Sequence, residues 1–175
     1  WLWIFNPKFG ILNQFLGWFG IQGPGWLYDP GWALFALVVM SLWGFGRGMI
    51  VYLSGLQNIN TEYYDAARVD GANIFTTFFK ITIPLMSPVI FFNIVMGIIG
   101  SFQVFAQAFI MTGGGPANST EFYMLYLYQN AFKFFKAGYA SALGWLLFLV
   151  IMAFSLLVIR SSSAWVYYEG ELKGR

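Results

Sequence analysis

Three stretches of this chain, residues 32–46, 81–120 and 137–159, contain no charged side chain. A helix needs roughly 20 predominantly apolar residues to cross the hydrocarbon of a bilayer. The second and third stretches meet that length alone, and the first meets it when extended to residue 53, past a single arginine. Only 9% of the 175 residues are charged, against about 25% in an ordinary soluble domain. Hydrophobic residues make up 59% and aromatic residues 22%. The predicted fold class is all-α: a polytopic membrane helix bundle.

The absences narrow the chemistry. There is no histidine and no cysteine, which excludes zinc sites, thiol nucleophiles, disulfides and Ser-His-Asp catalysis within this chain. The glycine cluster Gly113-Gly114-Gly115-Pro116 lacks the Lys-Ser/Thr that completes a phosphate-binding P-loop. A net charge of +2 gives no footprint for nucleic acid. No metal or catalytic residues are therefore expected. The chain opens on Trp1-Leu2-Trp3-Ile4-Phe5, without Met or a signal-peptide pattern. This reads as the end of an earlier span, so a C-terminal part of a larger polypeptide is expected.

The coarse organisation follows from these runs. Residues 1–31, rich in Trp, Gly and Pro, read as an interfacial segment. In it Phe9, Leu12, Phe15, Leu16 and Phe19 recur at helical spacing. Trp18, Trp26, Tyr28 and Trp32 suit either an aromatic belt at headgroup level or buried loop packing. A first span covers 32–53. Arg47, its one charge, lies six residues from the end, or about 9 Å at helical rise; it either snorkels to the interface or faces a polar route.

Residues 54–82 form a polar connection. Thr61 is a candidate N-cap and Glu62 suits the first turn. Gly71 can take the left-handed conformation that ends this helix near Asp70. Asn73 can cap a second short helix, 74–83, ending at Pro84. The result would be a compact knob with a glycine corner.

A second span covers 84–111. Wound at 100° per residue, it places Asn93, Gly97, Gly100, Ser101, Gln103 and Gln107 on one half. Phe91, Val95, Ile98, Phe102, Phe105 and Phe109 fall on the other. The small and polar half meets either other helices or a water-filled route. Residues 112–137 form a loop and a further interfacial helix, 121–136, with Met124, Leu127, Tyr128, Ala131, Phe132 and Phe135 at helical spacing and Lys133 and Lys136 exposed. A third span covers 138–160. The tail, 161–175, places Trp165, Tyr167 and Tyr168 at an interface. With three spans, Arg68, Lys80, Arg160, Lys173 and Arg175 share one side, and Lys8, Lys133 and Lys136 the other. That asymmetry favours a cytoplasmic knob and tail.

The knob resembles the EAA signature of importer permeases in ATP-binding-cassette (ABC) transporters. The resemblance is carried by Glu62-Tyr63-Tyr64-Asp65-Ala66-Ala67-Arg68-Val69-Asp70-Gly71-Ala72, followed by Phe78, Ile81 and Pro84. Asp65 stands in place of the usual Glu and keeps its charge, and Asn60 stands where proline is common. Trp3-Ile4-Phe5-Asn6-Pro7, residues 112–116, Gly138-Tyr139-Ala140-Ser141-Ala142 and Trp165-Val166-Tyr167-Tyr168-Glu169-Gly170 are similar to the sugar and glycerol-phosphate branch.

The resemblance implies a non-enzymatic permease subunit in the inner membrane. Its implied partners are an ATPase dimer that binds ATP and magnesium, a second permease subunit, an extracytoplasmic substrate-binding protein and membrane lipid. It also implies that Glu62, Tyr63, Tyr64, Asp65, Ala66, Ala67, Arg68, Asp70, Gly71 and Ala72 couple to the ATPase. Candidates for the substrate path are Arg47, Asn93, Ser101, Gln103 and Gln107. The competing expectation is a secondary transporter or channel driven by an ion gradient. Such carriers keep ionisable groups inside their spans, whereas all seven acids here lie outside the apolar runs.

Overall fold

The computed structural model describes residues 1–167, apart from the Arg47 side chain. The described residues form helices and turns with no strand. The tail residues Tyr168, Glu169, Gly170, Glu171, Lys173 and Arg175 lie outside them. Helix α1 spans Ile11–Trp18 and α2 spans Pro30–Leu42. A 3-10 turn, Trp43–Phe45, leads to α3, Gly46–Gln57. The short helices α4, Thr61–Val69, and α5, Ile74–Thr77, precede a π turn over Phe78–Thr82. Helices α6, Ile83–Phe102, α7, Ala106–Met111, and α8, Tyr123–Tyr128, follow. A second π turn, Gln129–Lys133, precedes α9, Ala137–Ser162.

Three helical runs are long and apolar enough to cross a membrane: Pro30–Gln57, Ile74–Met111 and Ala137–Ser162. The shortest has 26 residues, about 39 Å at helical rise, which exceeds the roughly 30 Å of hydrocarbon. The first begins earlier than the apolar run alone suggests. Asp29 accepts the Gly31 N–H at 2.8 Å, and Pro30 occupies the first helical position, where its missing N–H costs nothing.

Two expectations for the second run fail, each for a backbone reason. The helix after Asn73 does not stop at Pro84. A π turn widens the backbone just before that proline, the Ile83 N–H reaching back to the Phe78 carbonyl, and the helix then continues. The span is also not one regular helix over 84–111. It breaks between Phe102 and Ala106. Gly97, Gly100 and β-branched Val104 are weak helix formers. Phe105 leaves the helix with φ −132°, and its ring lies 4.9 Å from Tyr128 and 5.2 Å from Phe109. The 100° winding therefore ends at Phe102, and Gln107 and Phe109 belong to a new helix with its own phase.

The helix expected over 121–136 is likewise shorter. It begins at Tyr123, passes into the π turn and ends before Phe135, which has a positive φ of 55°.

The chain divides into two compact units. The first comprises Trp1–Phe45 and Gly100–Leu149. One of its clusters buries Phe5, Leu27 and Ala36, and another buries Leu37, Ala108 and Leu125. Asn13 ties the N-terminal segment together. Its amide donates to the Pro7 and Pro24 carbonyls, and its Oδ1 accepts the Trp26 indole N–H at 2.6 Å. Trp26 thus belongs to loop packing, against Phe5 and Trp32, while Trp18 and Tyr28 are exposed. Phe9 lies outside α1.

The second unit comprises Gly46–Ile99 and Val150–Arg175. Its interior includes Ala67, Thr82, Met86, Ser87 and Val166. Helices α3 and α6 approach closely at Gly55. A Cβ there would lie 2.8 Å from Val89 Cγ2 and 3.0 Å from Met86 Sδ. Overpacking such a contact costs typically 1–3 kcal/mol. We therefore expect Gly55→Val to lower the melting temperature of the full-length protein in detergent, whereas Gly97→Ala, at a position with open space around it, should leave it nearly unchanged.

Candidate functional site

The polar connection between the first two runs folds as a stiff elbow, and local backbone chemistry accounts for nearly all of it. Asn60, in extended backbone, caps α4 by accepting the Glu62 N–H at 3.0 Å. The cap is therefore Asn60 and not Thr61, which is the first helical residue. The preference is physical: asparagine caps better than threonine. Glu62 in the first turn and Arg68 in the last both suit the helix dipole.

The exit is a Schellman motif. Gly71 has φ +72°; its N–H bonds the Arg68 carbonyl at 3.1 Å, and the Ala72 N–H bonds the Ala67 carbonyl at 2.9 Å. Asn73 then caps α5, accepting the Thr76 N–H at 2.8 Å. Every turn of the elbow thus has its own hydrogen-bonded closure.

The expected coupling residues divide by direction. Ala67 is buried and Tyr64 half-buried, its hydroxyl 3.2 Å from that of Thr82. These two hold α4 against the start of the second run. Glu62, Tyr63, Asp65, Ala66, Arg68, Asp70 and Gly71 are exposed, and Ala72 is half-buried. Asp65 and Arg68 pair with each other at 3.2 Å, an exposed contact worth at most about 1 kcal/mol. Between the arms of the elbow lies an open groove of about 630 Å³, lined among others by Tyr63, Ala66, Asp70, Thr76 and Lys80.

The sequence reading missed the apolar tip. Val69 is 88% exposed, Ile74 80% and Phe75 73%. They flank the glycine corner on both sides. The available signal was an apolar residue immediately before and a pair immediately after a corner that is otherwise polar.

The reading also missed the seat of the elbow. Pro88 has no N–H for the carbonyl of residue 84, four positions back. The Ser87 hydroxyl donates to that carbonyl at 2.6 Å, and its oxygen accepts the Tyr167 N–H at 2.8 Å. Ser87 is only 3% exposed. Beside it Val166 is buried and the Trp165 ring lies 6.1 Å from Phe91. Trp165 and Tyr167, expected simply at an interface, thus pin the chain after α9 to the base of the elbow. A cavity of about 200 Å³, lined by Gly55, Asn58, Tyr63, Pro88 and Tyr167, adjoins this contact.

The substrate-path candidates fare differently. The Arg47 side chain lies outside the described residues. Asn93 is half-buried and its amide NH2 donates to the Val89 carbonyl of its own helix at 2.8 Å. Gly97 and Gly100 have no neighbour within contact of an added Cβ. Ser101 is exposed one residue before the end of α6, Gln103 sits in the helix break and Gln107 is the second residue of α7. The break separates the two glutamines from the regular stripe that the periodicity suggested.

Residues 1–167 match the family described as binding-protein-dependent transport system inner membrane component. The chain belongs to this family. It is 44% identical over 165 residues to the probable ABC transporter permease protein YesP of Bacillus subtilis (strain 168), covering 93% of this chain and 53% of that protein. It is 36% identical over 159 residues to the sulfoquinovosyl glycerol transport system permease protein SmoG of Agrobacterium fabrum, covering 90% of this chain and 52% of that protein. The chain spans about half the length of the curated relatives it matches.

Its fold is that of a chain in the crystal structure of a bacterial ABC transporter involved in the import of the acidic polysaccharide alginate. The TM-score is 0.85 at 24% identity, over 93% of this chain and 58% of that one. As a member of this family with its apolar helices, the chain is a multi-pass inner membrane component.

The seat of the elbow is testable without any transport assay. Ser87→Ala leaves the Pro84 carbonyl and the Tyr167 N–H without their partner, a loss of about 1–3 kcal/mol for a buried orphan. A reduced melting temperature in Ser87→Ala, restored in Ser87→Thr, is the expected outcome.

Proposed function

We propose that the chain belongs to the permease subunit of an ATP-driven importer for a sugar or related polyol, and that its elbow receives the movement of a separate ATPase. The observation that carries this reading is the apolar tip, Val69, Ile74 and Phe75, set on a rigid corner. A cluster this exposed on a polar connection suits a protein partner. A stiff element is also what mechanical coupling requires, because a disordered loop would absorb the displacement. ATP and magnesium then bind the ATPase, and this chain holds neither.

In this reading Val69, Ile74 and Phe75 seat in a groove of the ATPase. Glu62, Tyr63, Asp65, Ala66, Arg68, Asp70 and Gly71 form the polar surround of that contact. Tyr64, Ala67 and Ala72 act from inside, keeping the elbow stiff. The elbow and the tail face the cytoplasm, in keeping with the excess of basic residues on their side.

A second permease subunit pairs with this one, and an extracytoplasmic binding protein delivers the ligand. The sugar assignment draws on relatives such as the lactose transport system permease protein LacF of Rhizobium radiobacter, 38% identical over 154 residues. Arg47, Asn93, Ser101, Gln103 and Gln107 contribute to the substrate path, the glutamines at a helix break where the backbone itself offers hydrogen bonds.

Two experiments test this. Phe75→Asp should weaken association with the ATPase by about 2 kcal/mol or more, the scale of an interface anchor, and deplete ATPase from the purified complex. Unchanged co-purification would sink the docking account. Gly71→Val finds open space but an unfavourable backbone. It should insert normally yet separate ATP hydrolysis from uptake in vesicles supplied with binding protein.

A further inference from the structure

The turn before α9 has an arrangement that neither the elbow nor the substrate path uses. Phe135 is 84% exposed and carries a positive φ of 55°, a backbone conformation that is a clear outlier for a bulky side chain. It is held there from behind. The Phe134 N–H bonds the Gln129 carbonyl at 2.9 Å and the Lys136 N–H bonds the Asn130 carbonyl at 2.8 Å. Asn130 itself is buried, with its amide on the Tyr126 carbonyl.

The turn presents Phe135 between two exposed lysines. Lys133 Nζ sits 5.6 Å from the Phe134 ring centroid. Among the described residues, neither ammonium is paired with a carboxylate. Lys136 immediately precedes Ala137, the first residue of a helix long and apolar enough to cross a membrane, so both lysines sit in the turn at the end of that helix.

The same unit carries a second feature further along α9. An open, mostly apolar groove on α9 of about 460 Å³ is lined by Ser141, Gly144, Trp145 and Phe148. It starts four residues past Ala137, about 6 Å along the helix axis. Two ammonium groups, an aromatic wedge and a shallow apolar face match the phosphate, glycerol boundary and acyl chain of a lipid.

We propose that Lys133 and Lys136 bind the phosphate of an anionic phospholipid, with Phe135 inserted at the acyl boundary and one acyl chain lying along Ser141, Gly144, Trp145 and Phe148. The charge selects the lipid. A zwitterionic headgroup carries its own ammonium and competes poorly for the two lysines, so phosphatidylglycerol should be held in preference to phosphatidylcholine.

The test uses the full-length protein, purified in detergent and titrated with each of these two lipids while retained lipid is counted by native mass spectrometry. Phosphatidylglycerol should be retained about tenfold better than phosphatidylcholine, and raising sodium chloride should erode that preference. Lys133→Gln combined with Lys136→Gln should abolish it, while the Lys→Arg pair keeps it. Trp145→Ala should lower retention of both lipids alike. The lysines are exposed, so the Gln pair should melt normally in lipid-free detergent; the salt titration of the unaltered protein gives a readout free of any substitution. Equal retention of the two lipids by the unaltered protein would overturn the proposal. So would a preference that survives both high salt and the Gln pair. Shielding of Lys133 and Lys136 from amine-reactive labelling by a soluble binding protein, with no effect of phosphatidylglycerol, would assign the surface to that protein instead.

Discussion

Inside a bilayer a backbone N–H or C=O without a partner costs several kcal/mol, and this constraint shapes the irregularities of the second membrane run. The second membrane run carries two prolines and an interruption. Each is accompanied by a substitute hydrogen bond or a protein-lined setting. The π turn reroutes the backbone ahead of Pro84, and the Ser87 hydroxyl takes the carbonyl that Pro88 leaves unpaired. At the break after Phe102, the Gln103 N–H still reaches the Gly100 carbonyl, and the Phe105, Phe109 and Tyr128 rings pack around the opened turn.

The elbow meets a different demand. Water can satisfy its backbone, so rigidity there has to come from closure of each turn on itself. Asn60, the Schellman pair at Gly71 and Ala72, and the Asn73 cap provide that closure within fourteen residues, from Asn60 to Asn73. The inner residues Tyr64 and Ala67 then attach the corner to the start of the long helix, and the tail, through Tyr167, attaches that helix to the chain after α9. Val69, Ile74 and Phe75 are thus mounted on a corner closed by its own hydrogen bonds and tied to the long helix.

The boundary between apolar helix and water is managed by aromatics in two distinct ways. Trp26 is drawn inward by Asn13 and by the Phe5 and Trp32 rings, and becomes part of the packing. Trp18 and Phe135 remain outside it. Aromatic side chains are thus packed in one place and left exposed in another, and local spacing alone does not distinguish the two outcomes.

Class, spans and elbow were legible in the sequence because each rests on a local free energy. Uncharged length decides membrane insertion, and glycine at position 71 or asparagine at 73 decides a turn through its own backbone and side chain. Even the misplaced cap, Thr61 for Asn60, was an error of one residue between two capable neighbours. Tertiary structure decided the rest. The contact between Ser87 and Tyr167 joins positions 80 residues apart, and the Tyr128 ring that packs on the break of the second run is one that no helical period could reveal. Which apolar residues of the elbow stay uncovered was likewise decided only when Tyr64 and Ala67 turned inward and left Val69, Ile74 and Phe75 outside. Burial is a property of what packs against a residue, and a linear pattern does not contain it.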